Sequence, residues 1–445
     1  MKEKVIIFGA GDNFLHHYTF LKDKYDILAV LDNSPAKQGM KFGELQVVPL
    51  RDMPSVSYDK VIVTPNAFSA IIQQLRDAGV PGEKIFRLTD ITQVSLASRG
   101  CRLAFLLNGG LGDYLISANY LYILRQKYFV GRKIDLYCDT GATYAEHVFS
   151  SWEAVDRIEY LEKGAKPDLD GYAMAMKISR YPEILRADKE VLAKFCPDFI
   201  DYLLACEKFR IFNKRFFQPG LMADGQGACL SEIGGISRIQ QPDIYHILGI
   251  GLEYRYPLAM RGTEDVLARF GLEGDGYITL HRGADARYAE RSVKLWPVEK
   301  YNSLLRKLRE RFPALKIVQL GTEAECYPGM DPASIDLRGR TSFEELKVLL
   351  GRSRLHIDNE GGLVHLRHAL HGGTSIVLFG PTSEKFFGYP ENRNLRGNGC
   401  VHWCEWATDN WQEHCPRGEA IPPCMASISA SVVMKEVISC LEGKA

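Results

Sequence analysis

Short apolar runs separated by amphipathic stretches recur along most of the chain. Val5-Ile6-Ile7-Phe8 ends in Gly9-Ala10-Gly11, Ile27-Leu28-Ala29-Val30-Leu31 ends in Asp32, and Val61-Ile62-Val63-Thr64 follows. A helical pattern over Phe68–Ala78 comes after the third run. Runs this apolar fit strands buried on both faces, and their alternation with helices predicts a parallel sheet covered on both sides. A second unit opens at Arg102-Leu103-Ala104-Phe105-Leu106-Leu107, turns through Asn108-Gly109-Gly110-Leu111-Gly112-Asp113, and enters a helix with Leu115, Ile116, Tyr120, Leu121 and Leu124 at helical spacing. Residues 180–260 read as irregular and aromatic. A third unit opens at Gly276-Tyr277-Ile278-Thr279-Leu280. It continues through helix Glu299–Arg311, strand Lys316–Leu320, helix Ser342–Gly351, strand His356-Ile357, helix Val364–Leu370 and strand Ser375–Phe379. The breaks place domains at 1–95, 100–270 and 275–445, with a linker near Gln93–Gly100.

The length of 445 residues accommodates three such units. Lys and Arg number 55 and Asp and Glu 55, so the formal net charge is zero and nucleic acid is not the expected partner. No apolar run reaches the roughly 18–20 residues of a membrane span. The start runs directly into Val5-Ile6-Ile7 without a signal-peptide pattern, so a cytoplasmic location is expected.

Gly9-x-Gly11 after a strand, with Asp32 some twenty residues on, has the outline of a dinucleotide fingerprint. Phe14 stands where the third glycine belongs, and Asn33-Ser34-Pro35 turns the chain directly after Asp32. NAD is therefore not expected. The segment resembles the small Rossmann-like domain found ahead of several bacterial polysaccharide and sugar-modifying enzymes. That resemblance implies an accessory or nucleotide-sugar-sensing module.

The glycine loop before Asp113 is different, because an acid follows the last glycine at a helix start. One reading is a cap favoured by the helix dipole. The other is a general base on a rigid helix start, with Gly110 and Gly112 letting a substrate approach. The third unit adds polar groups at consecutive strand ends: His281-Arg282-Gly283, Lys294-Leu295-Trp296-Pro297, Gly321-Thr322-Glu323, Asp358-Asn359-Glu360-Gly361-Gly362-Leu363-Val364-His365 and Phe379-Gly380-Pro381-Thr382. Parallel sheets bind ligands at this edge. Gly361-Gly362 at a helix N-terminus offers N–H donors to a phosphate, and Lys294 and Arg282 can neutralise a diphosphate. Together these groups point to a diphosphate nucleotide site.

The pattern resembles the family 9 glycosyltransferases, the ADP-heptose:lipopolysaccharide heptosyltransferases among them, over about residues 101–440. The resemblance implies an α/β fold of GT-B type, a pair of facing Rossmann-like domains, here preceded by a third, smaller one. It implies that Asp113 is the catalytic aspartate, that Lys294 binds the donor diphosphate, and that the stretch ending at His365 cradles the donor. Glu323 matches an acid that contacts the nucleoside, with Glu325 competing for the role. Counting back from His365 puts Gly362 on the family's motif glycine and Glu360 on its aspartate, whereas choosing Asp358 lengthens the loop by two residues.

Of eleven cysteines, Cys400, Cys404, Cys415 and Cys424 crowd into one 25-residue stretch with Trp403, Trp411, His402 and His414. Four thiols in a core-poor loop have the composition of a structural metal site, although no CxxC pair is present. Zinc is the generic expectation. A resemblance to the autotransporter heptosyltransferases implies iron.

The expected reaction is inverting glycosyl transfer from a nucleoside-diphosphate sugar, an ADP-sugar favoured, to a glycan, lipid-linked or protein hydroxyl. No catalytic metal or other cofactor is required. Peripheral association with the inner membrane and homo-oligomerisation are both compatible with this reading. The rivals are an NAD-dependent nucleotide-sugar oxidoreductase or epimerase built on Gly9–Asp32, and a non-catalytic nucleotide-sugar-binding protein in which Asp113 only caps its helix.

Overall fold

The computed structural model describes residues 2–443 except 12–13, 16–17, 19–20, 23, 43–44, 65–67, 89–101, 140–141, 163–164, 213–234, 274–275, 284–287, 289–290, 327–329, 406–407 and 409. The linker expected near 93–100 lies outside the described residues. The chain divides into two compact units, Met1–Arg99 and Gly100–Ala445.

The first unit is a six-stranded sheet of β1 (Lys4–Phe8), β2 (Asp26–Leu31), β3 (Lys41–Phe42), β4 (Leu45–Val48), β5 (Lys60–Val63) and β6 (Ile85–Arg87), in the order β3-β4-β2-β1-β5-β6. Only the β3–β4 pair is antiparallel. Val5 and Ile7 face one apolar layer while Ile6 and Phe8 face the other. Both faces of the strand are buried, hence the unbroken apolar run. Phe14, in the place of the third glycine, is fully buried among Tyr18 and Phe42. Asp32 accepts from Ala10 N at 2.7 Å on one oxygen and from Ser34 N at 2.8 Å on the other. The carboxylate that matched a ribose-holding acid thus ties its own turn to the glycine loop.

The second unit holds two sheets. One has β7 (Arg102–Leu107), β8 (Ile134–Cys138), β9 (Val155–Tyr160), β10 (Tyr172–Ile178) and β11 (Pro182–Ala187), ordered β11-β10-β7-β8-β9 with only β10–β11 antiparallel. The other has β12 (Tyr277–His281), β13 (Lys316–Leu320), β14 (Ile335–Asp336), β15 (Leu355–Asn359), β16 (Ser375–Phe379) and β17 (Arg393–Arg396), ordered β14-β13-β12-β15-β16-β17 and parallel throughout. This is the doubly wound order, so its switch point lies between β12 and β15. In the preceding sheet the corresponding point lies between β7 and β10. The expected α/β class of paired Rossmann-like sheets behind a smaller third one is borne out.

Local chemistry accounts for the elements. In helix Val298–Arg311, Tyr301, Leu304, Leu305 and Leu308 recur at helical spacing and are fully buried. Helix Phe343–Arg352 starts on a capping box in which Ser342 N donates to Glu345 Oε2 at 2.8 Å and Glu345 N donates to Ser342 Oγ at 3.3 Å. The stretch expected to be irregular is regular over part of its length, with β11 followed by helices Lys189–Phe195 and Asp198–Phe212. Phe199, Tyr202, Leu203 and Cys206 form the buried stripe of the second helix. Residues 213–234 lie outside the described residues, and among the described residues no helix is long and apolar enough to cross a membrane.

Candidate functional site

The glycine turn after β7 and the glycine turn after β15 meet. Helix Leu111–Tyr128 begins at Gly110 and packs against helix Gly362–Ala369. A Cβ on Gly112 would stand 2.5 Å from His365 Cδ2, and one on Gly362 would stand 3.2 Å from Leu111 Cβ. These glycines therefore let the two helix starts approach each other, a different reason from the substrate access expected of Gly112. Gly109 has φ +105° and a Cβ there would collide with the Asp113 carboxylate. Gly361 is extended, a conformation open to any residue.

Asp113 sits in the first turn of its helix. Gly110 N donates to its Oδ2 at 2.9 Å and Arg238 Nη2 donates to its Oδ1 at 2.6 Å. Its side chain is still 42% exposed, so the carboxylate faces the cleft rather than the core. Arg238 is buried, and its own N–H donates to Phe386 O at 2.8 Å. Arg180, just beyond β10, lies at the same switch point. Burial, with the Arg238 charge beside it, pushes its guanidinium down to about 10, while Asp113 and Glu405 pull the other way. Glu405 is fully buried and accepts from Ser383 N at 3.1 Å.

Across the cleft, Lys294 Nζ donates to Glu360 Oε2 at 2.5 Å, and Thr382 Oγ1 donates to the same oxygen at 3.1 Å. Lys294 also lies 5.6 Å from the centre of the Trp411 ring. Arg282 Nε donates to Trp296 O at 2.9 Å. Of the two acids the loop offers, Glu360 stands beside Lys294. Asp358 is buried below it, 2.8 Å from His281 Nδ1 and 3.3 Å from His356 Nε2. Glu323 is exposed, whereas Glu325 is buried, accepts from Thr322 N at 2.6 Å and meets His281 Nε2 at 3.2 Å. Leu363 is partly buried against the main core.

Two histidines of this region titrate in opposite senses. Burial lowers His365 to about 4, and its Nδ1 lies 2.6 Å from the Tyr389 hydroxyl. Burial alone would lower His281 too, but Asp358 and Glu325 raise it to about 10. The unfolded value of both is about 6.5. On acidification below it, the unfolded chain takes up a proton that folded His365 refuses until about 4, so stability falls over that interval. On alkalinisation, the unfolded chain releases a proton that His281 keeps until about 10, so stability falls there as well. Stability therefore peaks near neutral pH. In His365→Asn the loss between pH 7 and 5 should shrink, as read from urea midpoints; an unchanged loss would show that His365 is not its source.

The four clustered cysteines are free thiols, with Cys424 buried and the others half-buried. Burial pushes Cys404 up to about 12 and Cys424 up to about 11; Cys400 and Cys415 add to both shifts, and Cys424 adds to that of Cys404. Among the described residues no three His, Cys, Asp or Glu side chains stand at metal-holding geometry.

Sequence reasoning had identified Asp113, Lys294, Glu360 and the glycine turns, which the structure brings to facing sheet edges. It missed Arg238, Arg180, Glu405 and Tyr389. None of these lies in a glycine motif, and only the nearness of Arg180 to the end of an apolar run was a usable signal.

Residues 264–417 match the family model for glycosyltransferase family 9 (heptosyltransferase), and residues 1–86 match the C2185-like, N-terminal family. A curated relative, the redox-sensing transcriptional repressor Rex of Brevibacillus brevis, is 32% identical over 97 residues, which cover 20% of this chain and 47% of that protein. The chain thus spans about half the length of that relative. Among solved structures, ADP-heptose lps heptosyltransferase II of E. coli is similar at a TM-score of 0.48 and 15% identity, covering 77% of this chain and 100% of the other. A family 9 glycosyl transferase of Veillonella parvula gives 0.47 and 13%, with 78% and 98% covered. The iron-containing dodecameric glycosyltransferase TibC of enterotoxigenic E. coli gives 0.48 and 14%, with 78% and 77% covered.

Proposed function

We propose that this chain, whose residues 264–417 form a glycosyltransferase family 9 domain and which is a glycosyltransferase on that ground, transfers a heptose-like sugar with inversion from a nucleoside-diphosphate donor to a hydroxyl of a glycan, lipid-linked or protein acceptor. The observation that carries the reading is the placement of Asp113. Its open carboxylate stands where the carboxyl edges of two doubly wound sheets meet, opposite the helix start at Gly361–Leu363. Asp113 takes the proton of the acceptor hydroxyl as that oxygen bonds to the anomeric carbon. The bond from that carbon to the donor phosphate breaks on the opposite face, and its electron pair leaves with the nucleoside diphosphate. Lys294, Arg282 and the N–H groups at Gly361–Leu363 meet the charge that develops there. Glu360 stands beside the ammonium, and His365, neutral at physiological pH, packs the joint between the two helix starts.

A thermal-shift panel of ADP-, GDP-, UDP- and CDP-sugars tests this reading. An ADP-sugar at about 100 times its dissociation constant should stabilise the protein by about 2.7 kcal/mol, with the other nucleotides giving less. No response to any nucleotide sugar would remove the donor site proposed here.

Cys400, Cys404, Cys415 and Cys424 fit a structural metal by their chemistry. They are four thiols within one 25-residue stretch, and burial keeps Cys404 and Cys424 protonated unless a cation draws off the protons. A zinc or iron ion there would staple the loop that ends at helix Pro423–Ala426. About one metal ion per chain is expected by elemental analysis of protein purified without a metal column. Metal content near zero, with all four thiols titrating freely, would overturn it.

A further inference from the structure

We propose that Arg238 is the positioning residue of the transfer site, orienting the Asp113 carboxylate from a segment fastened to the donor half. The inference rests on Asp113 being the base.

Arg238 lies 125 residues from Asp113 in the chain, yet its Nη2 donates to Asp113 Oδ1 at 2.6 Å. Gly110 N holds the other oxygen at 2.9 Å, so both carboxylate oxygens are fixed and the group cannot spin about its Cβ–Cγ bond. With 42% of its side chain exposed, the carboxylate stays open to solvent on the side from which an acceptor hydroxyl would arrive.

The guanidinium is itself held from the other half of the unit. Arg238 N donates to Phe386 O, in the short helix Glu384–Phe387 that follows β16. Ile236, Ile244, Tyr181 and Phe386 pack into one apolar cluster across the two halves. The base therefore takes its orientation from the sheet that would carry the donor, and acid and donor are brought into register by one side chain.

Stability alone does not explain this contact. An arginine recruited for an ion pair offers two parallel N–H groups to both carboxylate oxygens. Here a single nitrogen meets a single oxygen, and among the described residues the buried Nη1 has no hydrogen-bond partner. A buried donor left without a partner calls for an explanation, and a role at the site supplies one. Arg180, lying close enough to feel both Arg238 and Asp113, holds the same corner electropositive.

The experiment compares Arg238→Ala and Arg238→Lys with Asp113→Asn in the full chain. Turnover is read by nucleoside-diphosphate release and ADP affinity by calorimetry. For Arg238→Ala we expect kcat to fall about 10²-fold, the scale of a misplaced reacting group. ADP affinity should stay within about twofold, and added guanidinium ion should restore part of the turnover where ammonium does not. Arg238→Lys, which keeps charge and bulk without the planar fork, should fall between the two. A kcat within about threefold of wild type in Arg238→Ala overturns the inference, as does a kcat loss accompanied by equal loss of ADP binding and no response to guanidinium. If Asp113→Asn turns over normally, the base assignment itself falls. If Asp113→Asn is inactive while Arg238→Ala is normal, only the role of Arg238 falls.

Discussion

Replacing Asp113 with asparagine should lower turnover by about 10²–10⁴-fold and leave donor affinity nearly unchanged. The carboxylate, at the acceptor-side switch point, combines an exposed face with two fixed oxygens. Asparagine keeps the shape and one acceptor oxygen, so it still serves either Gly110 N–H or Arg238. It loses the capacity to take a proton. A helix cap replaced in this way costs about 1 kcal/mol of stability or less, which a thermal midpoint reads separately from rate. Turnover followed by nucleoside-diphosphate release, with ADP affinity from calorimetry, distinguishes base from cap. Wild-type turnover in the asparagine variant would assign Asp113 to capping.

Features fixed by neighbours in the chain were legible in the sequence. The strand at 316–320 and the helix starting after Pro297 follow from local period, and both formed close to the expected residues. The choice of Asp113 and Lys294 followed from their place beside glycines and strand ends. What the sequence hid depends on contacts between distant segments. Arg238 lies in a stretch with no sustained period, and nothing local announces that its guanidinium reaches a helix start 125 residues away. Asp358 lies inside β15 and Glu360 just past its end, where strand alternation no longer fixes the direction of a side chain. Only the three-dimensional layer shows Asp358 beneath, between His281 and His356, and Glu360 beside Lys294. Helix Asp198–Phe212 is a different case. Its stripe of Phe199, Tyr202, Leu203 and Cys206 carries the helical period, masked by the aromatic residues and turns around it.

Lys294 carries the second large effect, and its pairing in the structure sharpens the test. A solvated lysine can become alanine with little consequence. Lys294 is instead bound to Glu360, a buried carboxylate that accepts on the same oxygen from the Thr382 hydroxyl. Lys294→Ala should therefore do two things at once. It should weaken nucleoside-diphosphate binding by about 1.5–3 kcal/mol, the scale of a hydrogen bond to a charged group. It should also destabilise the fold by up to about 3–5 kcal/mol, because an unpaired carboxylate is left in the interior. The second effect could pass for the first if binding is lost through partial unfolding. Lys294→Ala combined with Glu360→Gln separates them. The neutral amide still accepts from Thr382 and needs no cation, so stability should return toward wild type while ADP binding stays weak. Chemical denaturation and calorimetric titration of ADP and of adenosine measure the two effects independently, and adenosine should lose much less affinity than ADP. If the double variant binds ADP as tightly as the native protein, Lys294 is only the counter-ion of Glu360. The diphosphate must then be held elsewhere along the edge between β12 and β15.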